Sequence, residues 1–157
     1  MSILPIENVK DYPRPPALEM VPHRLRVTFA GETVAESTRA LRVLETHHAP
    51  TYYIPAEDVL ARLTPAKGGT LCEWKGRADY FDVHAGGRTA LRAAWSYAAP
   101  TARFSALAHH VAFYAGSMEA CFVGDERVIP QPGDFYGGWV TANLQGQIKG
   151  AAGTENW

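Results

Sequence analysis

The sequence is poor in the residues that most sharply narrow a protein's class. It has only two cysteines, Cys72 and Cys121, about fifty residues apart. Two isolated thiols set up no disulfide framework and no paired Cys-x-x-Cys zinc site. An excess of one charge is missing too: 15 Lys and Arg stand against 16 Asp and Glu, a net charge of −1. That removes any general pull toward nucleic acid or an anionic membrane, and no basic cluster is present to collect phosphates. No apolar run approaches the ~18 residues of a spanning helix. There is no Gly-x-x-x-x-Gly-Lys-Ser/Thr phosphate loop and no internal repeat. Met1–Pro5 shows no basic region followed by an apolar stretch, so the expected location is the cytoplasm.

What is present suits one globular domain. The chain has 157 residues, 46% hydrophobic and 20% charged, enough for one sizeable core. Three segments are expected. Residues 1–23 hold five of the eleven prolines, and Tyr12-Pro13-Arg14-Pro15-Pro16 reads as an extended arm, because each proline fixes φ and disfavours helix before it. Tyr12 packs this arm on the domain, and Arg14 either shares in that or belongs to a ligand rim. Residues 24–129 read as a β-rich core. Residues 130–157, rich in Gly, Pro and Gln, read as a tail anchored by Phe135, Tyr136, Trp139 and Trp157.

Within the core, Leu25, Val27 and Phe29 alternate with polar residues, the period of a half-buried strand. Ala30–Thr33 turns into a return strand at Val34–Glu36. Leu41 and Val43 mark a further short strand, where alternation does not decide whether Arg39, Arg42 or Glu45 points inward. Pro55 with Glu57 and Asp58 predicts a short helix through Leu63. Lys67–Gly69 reads as a loop. Gly86-Gly87 is a hairpin signal, and His110–Tyr114 with Met118–Val123 reads as another hairpin about Ala115–Ser117.

The densest chemistry lies in Thr70–Val83. Cys72, Trp74, Lys75 and Tyr80 fall within nine residues there, and a second aromatic group, Trp95 and Tyr97, follows. If both runs are strands of one sheet, Trp74, Tyr80, Trp95 and Tyr97, with Tyr53 and Trp139, line one concave wall. Aromatic faces hold flat rings and cations. Arg39, Glu45, Tyr53 and Lys75 are then the polar groups that orient a ligand. The plainer reading makes the same aromatics core, and both readings stand at this stage. For catalysis the candidates are Cys72 as a nucleophile, activated by Lys75 or a histidine, with Glu45 as a carboxylate. A cysteine in a β-rich core also serves simply as a small hydrophobe. His47 and His48 suggest metal, but neighbours on an extended chain face opposite ways and no further ligand lies at the right spacing, so a solvated loop or a pocket edge is the expected place for them. No metal and no cofactor is expected.

The blocks Cys72-Glu-Trp-Lys-Gly-Arg-Ala-Asp-Tyr-Phe81, Ala93-Ala-Trp-Ser-Tyr97 and His110-Val-Ala-Phe-Tyr114 resemble the bacterial family called domain of unknown function 427, which sometimes carries a nucleotidyltransferase label. The resemblance covers about Arg24–Val128. The flanks Asp11–Pro16, Phe135–Thr141 and Gly153–Trp157 are similar to longer members. It implies a mainly β, β-tent-like fold, similar to methionine sulfoxide reductase B and the thalidomide-binding domain of cereblon. That fold is expected as two small antiparallel sheets with one short helix and extended terminal arms. With two cysteines only, such a domain holds its sheets together by packing rather than zinc. The transferase label finds little support in the residues: Asp79 and Asp82 are three apart, so strand alternation separates them. The expected function is an uncharacterised small-molecule-binding domain with an aromatic-lined pocket, or an enzyme of unnamed reaction. A nucleotidyltransferase-like enzyme and a homodimeric interaction module, its arms crossing between subunits, remain as alternatives.

Overall fold

The computed structural model describes residues 4–133, 135–154 and 157. Met1–Ile3, Asp134, Glu155 and Asn156, which the sequence reading assigns to the arm and tail, lie outside the described residues. The strands run in chain order as β1 (Glu7–Asn8), β2 (Ala17–Met20), β3 (Leu25–Phe29), β4 (Glu32–Ser37), β5 (Leu41–Leu44) and β6 (Thr51–Pro55). Then come β7 (Arg62–Cys72), β8 (Gly76–Ala85), β9 (Arg88–Ser96), β10 (His110–Phe113), β11 (Ala120–Val123) and β12 (Glu126–Arg127). The tail adds β13 (Ile129–Pro130), β14 (Trp139–Val140) and β15 (Leu144–Gln145).

The fold is mainly β, but it is not a pair of small sheets. One antiparallel sheet has seven strands in the order β2-β5-β6-β10-β9-β8-β7, and a second has four, β12-β11-β3-β4. The long β7–β8–β9 meander makes the first sheet large. Val27, Val34 and Cys121 of the small sheet pack against Ile54, Val83 and Phe113 of the large one, and all are fully buried. Each such side chain contributes roughly 1.5–3 kcal/mol of burial.

Period-2 alternation sends the other residues of the large sheet to its opposite face. Tyr52 and Ile54 enter the main core, while Tyr53 between them joins a second cluster with Tyr80, Trp95, Tyr97 and Phe104. Strand β6 is therefore buried on both faces, which its apolar run Tyr52-Tyr53-Ile54 suits.

The two tight hairpins follow their turn residues. Ala30 and Gly31 have φ of 53° and 77°, and Gly86 and Gly87 have 56° and 73°, the left-handed geometry that two-residue hairpins need. Three expectations are corrected. The helix expected from Pro55 to Leu63 is a single 3₁₀ turn, Ala56–Asp58. The N–H groups of Leu60 and Ala61 bond to Val34 O instead of continuing a helix. Ala102–Leu107 forms two short 3₁₀ turns separated by a kink at Phe104, and no α-helix occurs among the described residues. Lys67–Gly69 is not a free loop but lies within β7. There a bulge sets Ala66–Gly68 against Tyr80 alone, between the Pro65–Phe81 and Gly69–Asp79 pairs. Finally, β10 and β11 form no hairpin. They belong to different sheets, and the Ala115–Ser117 turn carries the chain from one to the other.

Both ends are tied to the body. Ala17–Met20 is the edge strand of the large sheet, and β1 pairs in parallel with β15. Val9 and Tyr12 bury against Leu44 with Leu144 and Ile148 beside them. Trp139 is the tail's main anchor: it is buried in the main core against Tyr52, and its Nε1 donates to Phe113 O at 3.0 Å. Phe135, by contrast, is exposed.

Candidate functional site

The aromatic face of the large sheet lies beneath a cavity of about 220 Å³. Four parts of the chain build it. Strands β6, β8 and β9 supply Tyr53, Tyr80 and Trp95 as a wall; Tyr80 and Trp95 are directly paired across β8 and β9. The three-residue loop Glu73–Lys75 joining β7 to β8 supplies Trp74 and Lys75, with Cys72 at its base. The end of β5 and the turn after it supply Glu45 and His48. The tail folds back to add Phe135, Tyr136 and Lys149.

Eight of the ten residues named from sequence thus meet around one space: Glu45, Tyr53, Cys72, Trp74, Lys75, Tyr80, Trp95 and Tyr97. Arg39 does not. Its guanidinium is held at 3.0 Å from both Glu57 and Asp58, while Asp58 also accepts from Ser37 Oγ. Trp139 also lies outside the cavity, in the main core. His48, which the sequence offers as a pocket edge or solvated loop, also lines this space, together with Thr70, Tyr114, Tyr136 and Lys149, which the sequence does not single out for it. Only the paired histidines carried a signal, the opposed direction of neighbouring side chains. The others arrive through long-range packing.

The aromatic rings are locked against one another. Tyr53 meets Trp95 edge-on with centroids 6.5 Å apart and Tyr97 at 6.2 Å; Trp95 lies 4.5 Å from Tyr114. Tyr114 Oη in turn donates to Phe135 O at 3.1 Å, tying the tail to the cavity wall. Gly137 sits so close to the Trp95 ring that a Cβ there would lie 2.2 Å from it.

Tyr53 is 1% exposed, and its hydroxyl is buried without a hydrogen-bond partner among the described residues. The hydroxyl lies among Trp95, Tyr97, Cys72 and Tyr114, all of which line the cavity. Trp95 and Tyr97 edge it without reaching hydrogen-bond geometry. Burial raises the pKa of Tyr53 and of Tyr97 well above the ordinary phenol value, so both remain neutral hydroxyls. An orphaned buried hydroxyl costs about 1–3 kcal/mol.

His48 is also neutral. Burial first, then the charges of Lys149, Lys75 and Arg14, hold its pKa down to about 4. Its tautomer follows from a chain of contacts. Lys149 O only accepts, and Gln131 Nε2 donates to it at 3.0 Å, which orients the Gln131 amide. The same nitrogen lies 3.2 Å from His48 Nδ1, which must therefore accept. The proton is then on Nε2, 3.8 Å from Glu45. The intervening turn brings these two groups together, with His47 at φ 64° and His48 N–H bonded to Glu45 O. Glu45 also meets Arg14 at 3.5 Å.

Among the described residues, no three His, Cys, Asp or Glu side chains converge as a metal site. Asp79 lies 3.9 Å from Arg77, and Asp82 accepts from the Arg92 backbone N–H. No helix of the described residues is long and apolar enough to cross a membrane.

Residues 17–124 match a protein family described as Domain of unknown function (DUF427). The match spans β2 through β11, and so includes the whole aromatic wall but not the tail that covers it. No curated protein matches the sequence.

Proposed function

The chain belongs to the DUF427 family, and we propose that it binds a small planar ligand in the aromatic cavity. The observation that carries this reading is the Tyr53 hydroxyl, buried without a partner among the described residues and surrounded by rings that wall one space. A ring stacked on the Trp95–Tyr114 pair that displaces the surrounding rings slightly and accepts from the Tyr53 hydroxyl would remove that deficit. The cavity is smaller than the ~300–1,000 Å³ common for drug-sized ligands, which favours a one- or two-ring compound over a nucleoside triphosphate. The large sheet packed on a smaller one supports the β-tent-like reading of the fold, in keeping with ligand capture on an aromatic wall.

If the same site also catalyses a reaction, the groups in place are Cys72 as nucleophile, Lys75, and the Glu45–His48 pair. Turnover would then vanish in Cys72→Ser, Lys75→Ala or Glu45→Gln.

The binding reading is tested by thermal shift and tryptophan fluorescence against a panel of one- and two-ring compounds and nucleotides with and without Mg²⁺. A ligand that binds only the native state raises the midpoint. Small rings should raise it and quench emission, and Trp74→Ala should weaken both effects. A panel in which nothing but Mg²⁺–nucleotide shifts the midpoint contradicts the reading.

A further inference from the structure

Within that cavity, and resting on the reading of it as a ligand site, we infer that the ligand is an anion: a small planar ring bearing a carboxylate. The groups facing the cavity are mostly donors. Tyr53, a lining residue, carries a neutral hydroxyl buried without an acceptor among the described residues, just beneath the cavity-lining rings. His48 carries its proton on Nε2, 3.8 Å from Glu45, because Gln131 occupies its other nitrogen. Lys75 and Lys149 are both half-buried, and neither has a carboxylate within 4.0 Å among the described residues. Each ammonium instead faces a lining tyrosine, Lys75 5.8 Å from the Tyr97 ring and Lys149 5.3 Å from Tyr136.

The lysine from the tail is also held in place. Its backbone N–H bonds to His47 O at 2.7 Å, and its carbonyl accepts from Gln131. Two half-buried ammoniums facing one space without a counter-charge favour an anion there.

The acidic groups do not cancel this. Glu45 is engaged by Arg14 and lies beside His48, and Glu73 is exposed on the loop tip. A ring stacked on the contacting Trp95–Tyr114 pair would turn its carboxylate toward the two lysines. A cationic ring would place its charge against them instead. Lys149 and Tyr136 come from the tail, so the tail is part of the specificity device and not only packing.

The test is a fluorescence titration of the full chain with benzoate, benzamide and benzyltrimethylammonium, which share one ring and differ in charge. Benzoate should bind at least tenfold tighter than either of the others. Lys75→Gln with Lys149→Gln should weaken benzoate at least tenfold and leave benzamide within about twofold. The unfolding midpoint of the double variant, measured without ligand, confirms that it folds. Binding of benzamide as tight as benzoate, or tightest binding of the quaternary amine, overturns the charge assignment and leaves the cavity reading standing. If none of the three binds, while the wider panel of rings also fails, both fall together.

Discussion

Tyr80 on β8 and Trp95 on β9 stand directly opposite each other, so aromatic groups about fifteen residues apart in sequence share one wall. Opposed pairs on adjacent strands bring their Cβ atoms to about 5 Å. Their common face is the one turned away from the four-stranded sheet. That face would be the outside of a simple two-sheet sandwich. Here it is covered by the Glu73–Lys75 loop and the tail, which leave a cavity instead of a filled core.

The tail should be intolerant of added bulk where it meets this wall. A methyl at Gly137, at φ 76°, collides with the Trp95 ring. Gly137→Ala should cost about 2–4 kcal/mol from overpacking and backbone strain together. Gly87 has a similar φ of 73° with open space around it, so Gly87→Ala should cost only about 1 kcal/mol. Urea unfolding of both variants measures the difference. Equal losses would mean that the tail does not press on Trp95.

The two cysteines should differ in reactivity. Cys121 is 1% exposed, and burial pushes its thiol up to about 12. Cys72 is half-buried and lines the cavity. In the native protein, a maleimide should therefore modify one thiol within minutes and the second only on unfolding. Mass spectrometry with Cys72→Ser as control identifies the site. A saturating ring ligand should slow the native reaction several-fold.

Acid should weaken the fold through His48. Its folded pKa of about 4 lies below the ordinary 6.5, so between these values the unfolded chain binds more protons. The stability it contributes is complete above pH 6.5 and is lost as the pH falls toward 4. The loss is on the order of 2–3 kcal/mol. Asn at this position places an oxygen where Nδ1 accepts from Gln131, so His48→Asn should keep the contact and flatten that part of the pH–stability curve. An unchanged curve would show that His48 is not the titrating group.

Much of the wall was legible in the sequence because strand period and aromatic content coincide there. Alternation put Tyr80, Trp95 and Tyr97 together, Trp74 joins them from the loop between β7 and β8, and Gly86-Gly87 correctly marked the turn between β8 and β9. Local signals failed where long-range bonds competed with them. Pro55, Glu57 and Asp58 are helix-start residues, yet Val34 O captures the next N–H groups and the chain extends. Arg39 was misplaced for a similar reason, since Asp58 reaches it only after the chain has turned through Ala56–Asp58. Lys149 and Tyr136 lay far from the aromatic runs in a segment whose composition suggested only a tail. Nothing local tells a tail laid over a cavity from one laid over a core.

Tyr53→Phe is the most direct test, because it deletes one oxygen and leaves the ring packing intact. If the hydroxyl is held unsatisfied for a ligand, the variant without ligand should be at least as stable as the parent, by up to about 1–2 kcal/mol, and should bind benzoate at least fivefold more weakly. Paired urea unfolding and fluorescence titration read both quantities. A variant that is less stable and binds the ring as tightly as the parent would contradict the account, since the hydroxyl would then serve the fold and not a ligand.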